Sequence, residues 1–420
     1  MAHLPSALLA AALAAPAAAQ QPDRAVVDAT TVHGKVMCGY QGWFRCPGDA
    51  ANMGWIHWSG DQTRIAPDTL TFDMWPDVSE YDLDSLFPAE GFTHPDGTQA
   101  YLFTSDSATV VLKHFEWMRE YGLDGIWLQH FAVDLPGGPL PERYASRMSV
   151  LNHVREAAKA TGRVWALSYD TAGMAPEDIV RVVTDDWKRI VDAGITADDR
   201  YLHEGGRPVV QVWGFYPGDA GNRITPEGGN ALADFFAAPG PYSAYFVGGG
   251  AWNWRDNTDP AWQALYRRFN AYCPWNVGNC FLDRWGTNFA NTDFWEGDQA
   301  ACAESGVFWI PVIYPGFTWD NLKRQPPGTT NIRRRGGAFL WDQFHRLATL
   351  HVDTVYVAMF DEVDEGTAIL KVTSTPPTQA HFVGYENLPS DWYLRLVGEG
   401  ARMLRGERPI SAEIPIKPWG

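Results

Sequence analysis

The sequence predicts an α/β protein whose core is a (β/α)8 TIM barrel, with long loops at the carboxyl ends of its strands. Eight short apolar segments alternate with amphipathic segments, which implies parallel strands joined by right-handed helical crossovers. About 400 residues follow an apolar amino-terminal segment, enough for one large barrel. The predicted strands end in polar, aromatic and acidic residues, as in barrel enzymes. A doubly wound open sheet is the alternative, but no glycine-rich phosphate loop follows the first strand.

The predicted strands are short runs rich in β-branched and aromatic residues: KVMCGY (35–40), GIWLQH (125–130), RVWALSY (163–169), PVVQVWGF (208–215), SAYFVGG (243–249), PWNVGN (274–279), FWIPVIY (308–314) and DTVYVAMF (353–360). The predicted helices have apolar residues at helical spacing and cover 105–122, 142–161, 176–193, 227–238, 259–271, 291–305 and 336–351. In the first of these helices, Val111, Phe115 and Met118 share one face. Segment 41–100, rich in Gly, Pro, Asp and Trp, is a long excursion after the first strand, and such loops are usually functional.

The chain begins with MAHLPSALLAAALAAPAAAQQPD, an apolar stretch followed by small residues. This pattern predicts a signal peptide over residues 1–20, so we expect a periplasmic or secreted protein whose barrel occupies 21–420. A helical tail is the alternative interpretation. No later segment has the roughly 20 apolar residues that a membrane span requires.

The net charge and the aromatic content of the chain indicate which kinds of molecule it binds. A net charge of -17 and a pI near 5.0 argue against nucleic acids and anionic membranes as partners, and they favour neutral or positively charged ligands. The chain has 20 Trp, more than a core alone usually needs. Indole and phenol rings stack well on sugar rings, although core packing remains the alternative for any single Trp.

The five cysteines suggest disulfide bonds in an exported protein. Cys273 and Cys280 would close a small loop, and Cys38 with Cys46 is a weaker second pair, which leaves one thiol over. No spacing matches a zinc site, and we expect no metal and no cofactor.

The residues that end the predicted strands are amides, phenols, indoles and carboxylates. Parallel barrel strands bring these groups to one face, where they provide hydrogen bonds for hydroxyl groups and flat surfaces for sugar rings. Residues one position earlier, in the barrel interior, would look no different in sequence. The candidate substrate-binding residues from strand ends and the loops that follow are Tyr40, Gln129, His130, Tyr169, Asp170, Gln211, Trp213, Trp252, Trp254 and Tyr314.

The segment MFDEVDEGTAIL (359–370) places four carboxylates directly after the last predicted strand. Glu362 and Glu365 are three residues apart, so a helical loop would put them on one face, with Cβ atoms roughly 5–6 Å apart. Glycoside hydrolysis uses two carboxylates, and mutual repulsion with burial separates their pKa values into an acid and a base. A solvated acidic loop at a helix start is one alternative, and a calcium site built from Asp361 and Asp364 is another.

The segment FDEVDEGTAI resembles the FNEWHEGTQIE signature of family 99 of the glycoside hydrolases, the endo-α-mannosidases and endo-α-mannanases, whose fold is a β/α barrel. The similarity runs in pieces from about residue 34 to 371, within the broad group related to families 71 and 99. GWIHW (54–58) resembles an early His-Trp element of that family, which implies that His57 and Trp58 contact substrate; a packed loop anchor is the alternative for this motif.

The resemblance implies specific roles for the two glutamates. Glu362 matches the base that activates the 2-hydroxyl of the substrate, which attacks the anomeric carbon to give a 1,2-anhydro sugar. Glu365 matches the acid that protonates the leaving oxygen and later activates water, so that the configuration is retained. Val363 and Asp364 replace the Trp-His of the family, and Gln129, with the two residues after it, replaces its SWW element. We therefore do not expect mannose specificity to be inherited.

The expected function is that of an exported retaining glycosidase that cleaves α-linked oligo- or polysaccharides without a cofactor. The alternative is a non-catalytic carbohydrate-binding protein on a degenerate barrel. A metal-dependent hydrolase that uses the acidic run with His57 or His130 ranks last, because no H-x-H or H-E-x-x-H pattern is present. The sugar, the linkage, endo or exo action and the oligomeric state stay open.

Overall fold

The computed structural model describes residues 26–218 and 224–419, so the predicted signal peptide lies outside the described residues. The strands, numbered in chain order, are β1 (Val36–Tyr40), β2 (Leu86–Thr93), β3 (Gln99–Phe103), β4 (Gly125–Phe131), β5 (Val164–Asp170), β6 (His203–Glu204), β7 (Arg207–Phe215), β8 (Tyr245–Ala251), β9 (Ala271–Trp275), β10 (Cys280–Leu282), β11 (Asn288–Ala290), β12 (Phe308–Trp309), β13 (Val312–Ile313) and β14 (Val355–Val357). The α-helices are α1 (Ala108–Tyr121), α2 (Tyr144–Thr161), α3 (Pro176–Asp192), α4 (Pro226–Ala237), α5 (Pro260–Tyr266), α6 (Trp295–Glu304), α7 (Ala338–Thr349) and α8 (Trp392–Leu404).

The main sheet is parallel along the order β12-β9-β8-β7-β5-β4-β1-β14-β13, and it closes on itself. β12 and β13 are two halves of one strand position, interrupted at Ile310 and Pro311. Phe308 of β12 pairs with Ala271 of β9, while Val312 of β13 pairs with Tyr356 of β14. Because this one position joins both ends of the sheet, eight strand positions form a barrel. The predicted (β/α)8 fold is confirmed.

Each barrel strand is buried on both faces, and alternate residues separate the two. In β4, Trp127 packs inside the barrel with Tyr356 and Val164, while Ile126 and Leu128 pack outside in the core beneath the helices. The period of two residues in a strand produces this alternation. Consequently, two neighbouring residues at a strand end point to different surroundings.

Several elements differ from the predicted ones. β9 begins at Ala271, three residues before the predicted strand, and α5 ends at Tyr266, five residues before the predicted helix end. The sequence Asn-Val-Gly-Asn after Trp275 forms a turn, which explains the shift of β9. Segment 41–100 contains β2, which pairs antiparallel with β3 at the end of the segment. The helix α8 completes the helical layer and was not predicted.

All five cysteines are free, so the expected disulfides are absent. Cys273 faces the barrel interior and packs with its apolar core, whereas Cys280 lies at the start of β10. Cys38 points out of the barrel, and the Sγ atom of Cys46 lies 3.4 Å from the carbonyl oxygen of Phe103. The spacing in sequence suggested proximity, but none of these thiols is bonded to another.

Buried polar networks join the outside of the barrel to its helices. Asp186 of α3 is fully buried, and its Oδ2 accepts hydrogen bonds from the hydroxyl of Tyr169 (2.9 Å) and from Nε2 of His130 (3.1 Å). On α1, His114 lies between two phenols, with Nδ1 2.8 Å from the hydroxyl of Tyr40 and Nε2 2.7 Å from that of Tyr81. These contacts hold α1 and α3 against the barrel.

Replacement of Asp186 by Ala should destabilise the protein on the order of 3 kcal/mol, because two buried donors lose their acceptor. Urea unfolding followed by circular dichroism measures this change. Asp185→Ala is the matched control, since the neighbouring Asp185 is half-exposed and pairs only with Lys188 on the surface, so its cost should stay within about 0.5 kcal/mol. Equal effects of the two substitutions would contradict the structural role of the network.

Candidate active site

The carboxyl ends of the barrel strands surround one cleft of about 400 Å³. Five aromatic rings form its walls, and two glutamates with several amides and a phenol form its polar part. The residues that line this cleft are Gln41, Trp43, Gln129, Phe131, Asp170, Ala172, Gln211, Trp213, Trp275, Trp319, Tyr356, Glu362 and Glu365. Its volume lies in the range of small-molecule sites in proteins.

The acidic turn, residues 361–365, follows β14 as a tight turn and not as the helical loop that was predicted. The backbone N–H groups of Thr367 and Ala368 both donate to the carbonyl of Glu362, at 3.2 and 3.1 Å. Gly366 has φ +62°, and a Cβ there would lie 2.8 Å from the backbone nitrogen of Thr318. The turn therefore requires glycine at this position.

Asp361 anchors the acidic turn to the loop after β1. Its two carboxylate oxygens accept the backbone N–H groups of Gln41 (2.8 Å) and Gly42 (2.9 Å). Burial raises the pKa of Asp361 to about 6, although the two N–H donors act in the opposite direction. Both oxygens thus face donors, a geometry suited to anchoring a loop and not to binding a cation.

Glu362 lies beside this anchor and is 5% exposed. Its Oε1 accepts a hydrogen bond from Nε2 of Gln41 (2.7 Å), and its Oε2 accepts one from the hydroxyl of Thr367 (3.0 Å). Burial, followed by the negative charges of Glu365 and Asp364, raises the pKa of Glu362 well above its usual range. The Thr367 hydroxyl opposes this shift, because a donor stabilises the ionised carboxylate.

Glu365 is the second carboxylate of the cleft. Burial raises its pKa to about 7, and the positive charge of Lys323 limits the rise, while Asp170 adds to it. Because Glu362 and Glu365 repel one another, their protons leave in two steps that belong to the pair. Between these two steps the cleft holds one protonated and one ionised carboxylate.

Hydrogen bonds fix two amide side chains that face the cleft. Nε2 of Gln129 donates to the hydroxyl of Tyr356 at 2.8 Å, and the hydroxyl of Ser168 donates to Oε1 of Gln211 at 2.7 Å. The amide of Gln211 also hydrogen-bonds to the thiol of Cys273. The side-chain oxygen of Gln129 can hydrogen-bond to a ligand in an orientation set before the ligand arrives.

His57 supports one wall of the cleft from behind. Its ring is stacked on Trp43 with centroids 3.7 Å apart and planes 6° apart, and its Nδ1 lies 3.1 Å from Oδ2 of Asp364. Burial lowers the pKa of His57 well below its usual range and raises that of Asp364 well above its own. His57 adopts φ +63°, a rare conformation for a residue other than glycine. Asp364 therefore supports Trp43 through His57.

The structure brings together six of the fourteen site residues predicted from sequence. Those that line the cleft are Gln129, Asp170, Gln211, Trp213, Glu362 and Glu365. Gln41, Trp43, Phe131, Trp275, Trp319 and Tyr356 also line it and were not among the predicted site residues. Trp43 and Trp319 lie in loops, where no periodicity marks a side chain as facing the site.

The structure places the other predicted residues elsewhere. The side chains of Tyr40, His130 and Tyr169 point out of the barrel and serve the networks of α1 and α3.

The other tryptophans predicted as site residues, and Tyr314, do not line the cleft. Trp58 is fully buried, stacked on Phe44, and Trp254 is buried beside Tyr266 and Tyr272. Trp252 packs against Phe294, and the hydroxyl of Tyr314 donates to the carbonyl of Asn279. These aromatic side chains pack against other aromatic rings or bond to loop backbone.

Comparison with known proteins shows that solved structures share the fold of this chain. No protein-family model matches the chain, and no curated protein matches it significantly. A solved structure of the GH99 endo-α-mannosidase from Bacteroides thetaiotaomicron, in complex with BIS-TRIS-propane, aligns with TM-score 0.63 and 16% identity over 90% of this chain and 99% of that one. A second structure of that enzyme aligns with TM-score 0.62 and the same identity and coverage. The fold resembles that of a GH99 endo-α-mannosidase. The resemblance noted in the sequence is thus confirmed at the level of fold.

Two further properties concern the described residues alone. Within 26–218 and 224–419, no helix has the length and apolar character to cross a membrane. In the same ranges, His, Cys, Asp and Glu side chains form no group of three with the arrangement of a metal site.

The free energy of unfolding should fall as the pH rises from about 4.5 to 7. Glu365 has a folded pKa of about 7, above its ordinary value of 4.5, so the folded protein holds a proton that the unfolded chain releases. Glu365→Gln should remove roughly 3 kcal/mol of this fall. Urea unfolding at pH 4.5, 5.5 and 7 measures it, with Glu296→Gln as an exposed control. A wild-type slope in the Glu365→Gln variant would contradict the burial of this charge.

Proposed function

We propose that the protein is a retaining glycoside hydrolase that cleaves α-linked glycans. The observation that carries the proposal is that Glu362 and Glu365 face one cleft with aromatic walls, at the carboxyl ends of the barrel strands. Carboxylate pairs break acetals, and aromatic rings bind the C–H faces of sugars. The fold shared with an endo-α-mannosidase supports the same conclusion.

The surroundings of the two glutamates support different roles. Burial and the neighbouring carboxylates raise the pKa of Glu362, which strengthens it as an acceptor for the proton of the substrate 2-hydroxyl, and the hydrogen bonds from Gln41 and Thr367 favour the ionised form in which it acts. The pKa of Glu365, about 7, suits a group that gives and takes a proton near neutral pH. We therefore assign Glu362 as the base and Glu365 as the acid/base.

In the first step, the substrate 2-oxygen attacks the anomeric carbon as Glu362 takes its proton. The bond from this carbon to the leaving oxygen breaks, and Glu365 protonates that oxygen. In the second step, Glu365 deprotonates a water molecule, which attacks the anomeric carbon of the 1,2-anhydro sugar, and Glu362 returns the proton to the 2-oxygen. Two inversions give net retention, and the 2-hydroxyl must be trans to the leaving group.

Export belongs to the proposal as well. The apolar segment within residues 1–20, followed by small residues, is the basis for periplasmic or secreted localisation, with 21–420 as the mature chain. The intact mass of protein recovered from a bacterial periplasm would show whether this segment is removed.

Glu365→Gln and Glu362→Gln should each lower turnover by at least about a hundredfold, because each removes a proton-transfer group from the cleft. The measurement is product analysis with a panel of plant, algal and microbial polysaccharides, with circular dichroism to confirm the fold of each variant. Glu296→Gln is the matched surface control, and chelator should leave wild-type activity unchanged. Wild-type rates in either cleft variant would refute the assignment of that residue.

Thr367→Val should move the acid limb of the kcat/KM pH profile to higher pH by about one unit. The substitution removes the hydroxyl that stabilises ionised Glu362, so the pKa of this base rises and a higher pH is needed to ionise it. Thr367→Ser keeps the hydroxyl and should keep the wild-type profile. A shift of the alkaline limb instead would reverse the roles assigned to the two glutamates.

A further inference from the structure

The hairpin formed by β10 and β11, residues 280–290, exposes an unusual concentration of apolar side chains. Phe281 is 49% exposed, Leu282 67% and Trp285 74%, all within five residues of the chain. Phe281 and Leu282 are neighbours in β10 and point to opposite faces of the strand, so the three side chains are close in sequence but do not form one surface. Exposed apolar side chains this close together in the chain usually mark a binding segment. The exposed side chains of the hairpin therefore indicate that it binds a ligand or a partner.

The hairpin stands on the same face of the barrel as the cleft. It follows β9, whose last residue, Trp275, lines the cleft. The N–H of Asn291 donates to the carbonyl of Asn279 at 3.0 Å, which closes the base of the hairpin. Nδ2 of Asn288 donates to the carbonyl of Arg333 at 2.8 Å, which ties the hairpin to the loop before α7. These hydrogen bonds anchor the hairpin, and with it the exposed side chains, at the edge of the barrel face that holds the cleft.

The ring of Trp285 is held in place before any ligand binds. The guanidinium of Arg284 lies 3.8 Å from the ring centroid and covers one face. Oδ1 of Asp283 accepts the backbone N–H groups of Trp285 (2.9 Å) and Thr287 (2.8 Å), which fixes the tip of the hairpin. One face of the indole is therefore covered by a cation, and the exposure of the ring leaves the other face open.

A second ring lies along the same hairpin. Phe281 stacks on Phe289 of the opposite strand with centroids 5.8 Å apart, and the guanidinium of Arg335 lies 4.3 Å from the Phe289 centroid. The hairpin therefore presents two supported aromatic rings. Supported, pre-oriented rings lose little conformational freedom on binding.

We propose that the hairpin 280–290 is a glycan-binding platform that extends the cleft, so that the substrate is a chain of several sugar units bound across the rim. This inference rests on the proposed function and specifies its substrate class. It is supported by continuity with the cleft through Trp275 and by the shared chemistry of aromatic rings on one barrel face.

A second copy of the chain fits this surface less well. A stable dimer buries about 800 Å² on each partner, whereas large aromatic side chains contribute about 150–250 Å² each. Phe281, Leu282 and Trp285 together provide too little area for such an interface. Arg284 also lies over the ring of Trp285, so a dimer interface that covered this ring would have to bury the charge of Arg284.

The test is affinity electrophoresis of the Glu365→Gln protein in native gels that contain α-mannan, dextran or soluble starch, so that binding is measured without cleavage. At least one polysaccharide should retard the protein, and adding Trp285→Ala should weaken binding about five- to tenfold. Trp285→Phe keeps a ring and should keep most of the binding. Trp419→Ala removes a Trp that is 76% exposed in the carboxyl-terminal segment, and it should leave binding unchanged.

Each outcome separates the platform from the proposed function. If the Glu365→Gln protein is retarded and Trp285→Ala leaves the retardation unchanged, the platform is refuted while the glycosidase proposal stands. Equal losses from Trp285→Ala and Trp419→Ala would refute it as well. Light scattering that shows a dimer lost only in Trp285→Ala, with unchanged retardation, would assign the surface to a second copy. If the panel gives neither retardation nor cleavage by wild-type protein, the proposed function itself fails.

Discussion

The two hydrogen bonds that Asp361 accepts from the backbone of Gln41 and Gly42 hold the cleft together. β1 and β14 are neighbouring strands, and these bonds continue their association into the loops that follow. Because Gln41 is fixed by its backbone, its side chain reaches Glu362, and the chain continues directly into Trp43 at the cleft wall. One buried carboxylate thus positions Glu362, a donor to its carboxylate and an aromatic wall.

The four carboxylates of the acidic turn are buried or partly buried, so their ionised forms do not stabilise the folded protein. Asp361, Glu362, Asp364 and Glu365 all have pKa values raised first by burial, so each ionised form is disfavoured in the folded state. The barrel offsets this cost through its closed core and its hydrogen-bonded helices. Sites that depart from the rules for stability in this way are typically functional.

Barrel closure was predictable because eight β-branched runs separated by helical patterns leave few topologies. The orientation of strand-end side chains was not, because both faces of a barrel strand are buried and no polar alternation marks the inner one. Gln129 faces the cleft and its neighbour His130 faces α3, although both end the same strand. Two glycines weaken the helical signal of α8, and the loop residues Trp43 and Trp319 depend on tertiary contacts that sequence pattern does not report.

The charge of the cleft limits the sugars that fit near the scissile bond. Asp170, Glu362 and Glu365 line it, and the side chain of Lys323, which lies over Trp319, is a cation close enough to lower the pKa of Glu365. A uronic acid or sulfated sugar at this position would add negative charge beside carboxylates that already repel one another, and it would raise their pKa values further. An uncharged sugar avoids this cost and still gains from the aromatic walls. For the glycosidase proposed above, the same electrostatics therefore favour neutral glycans.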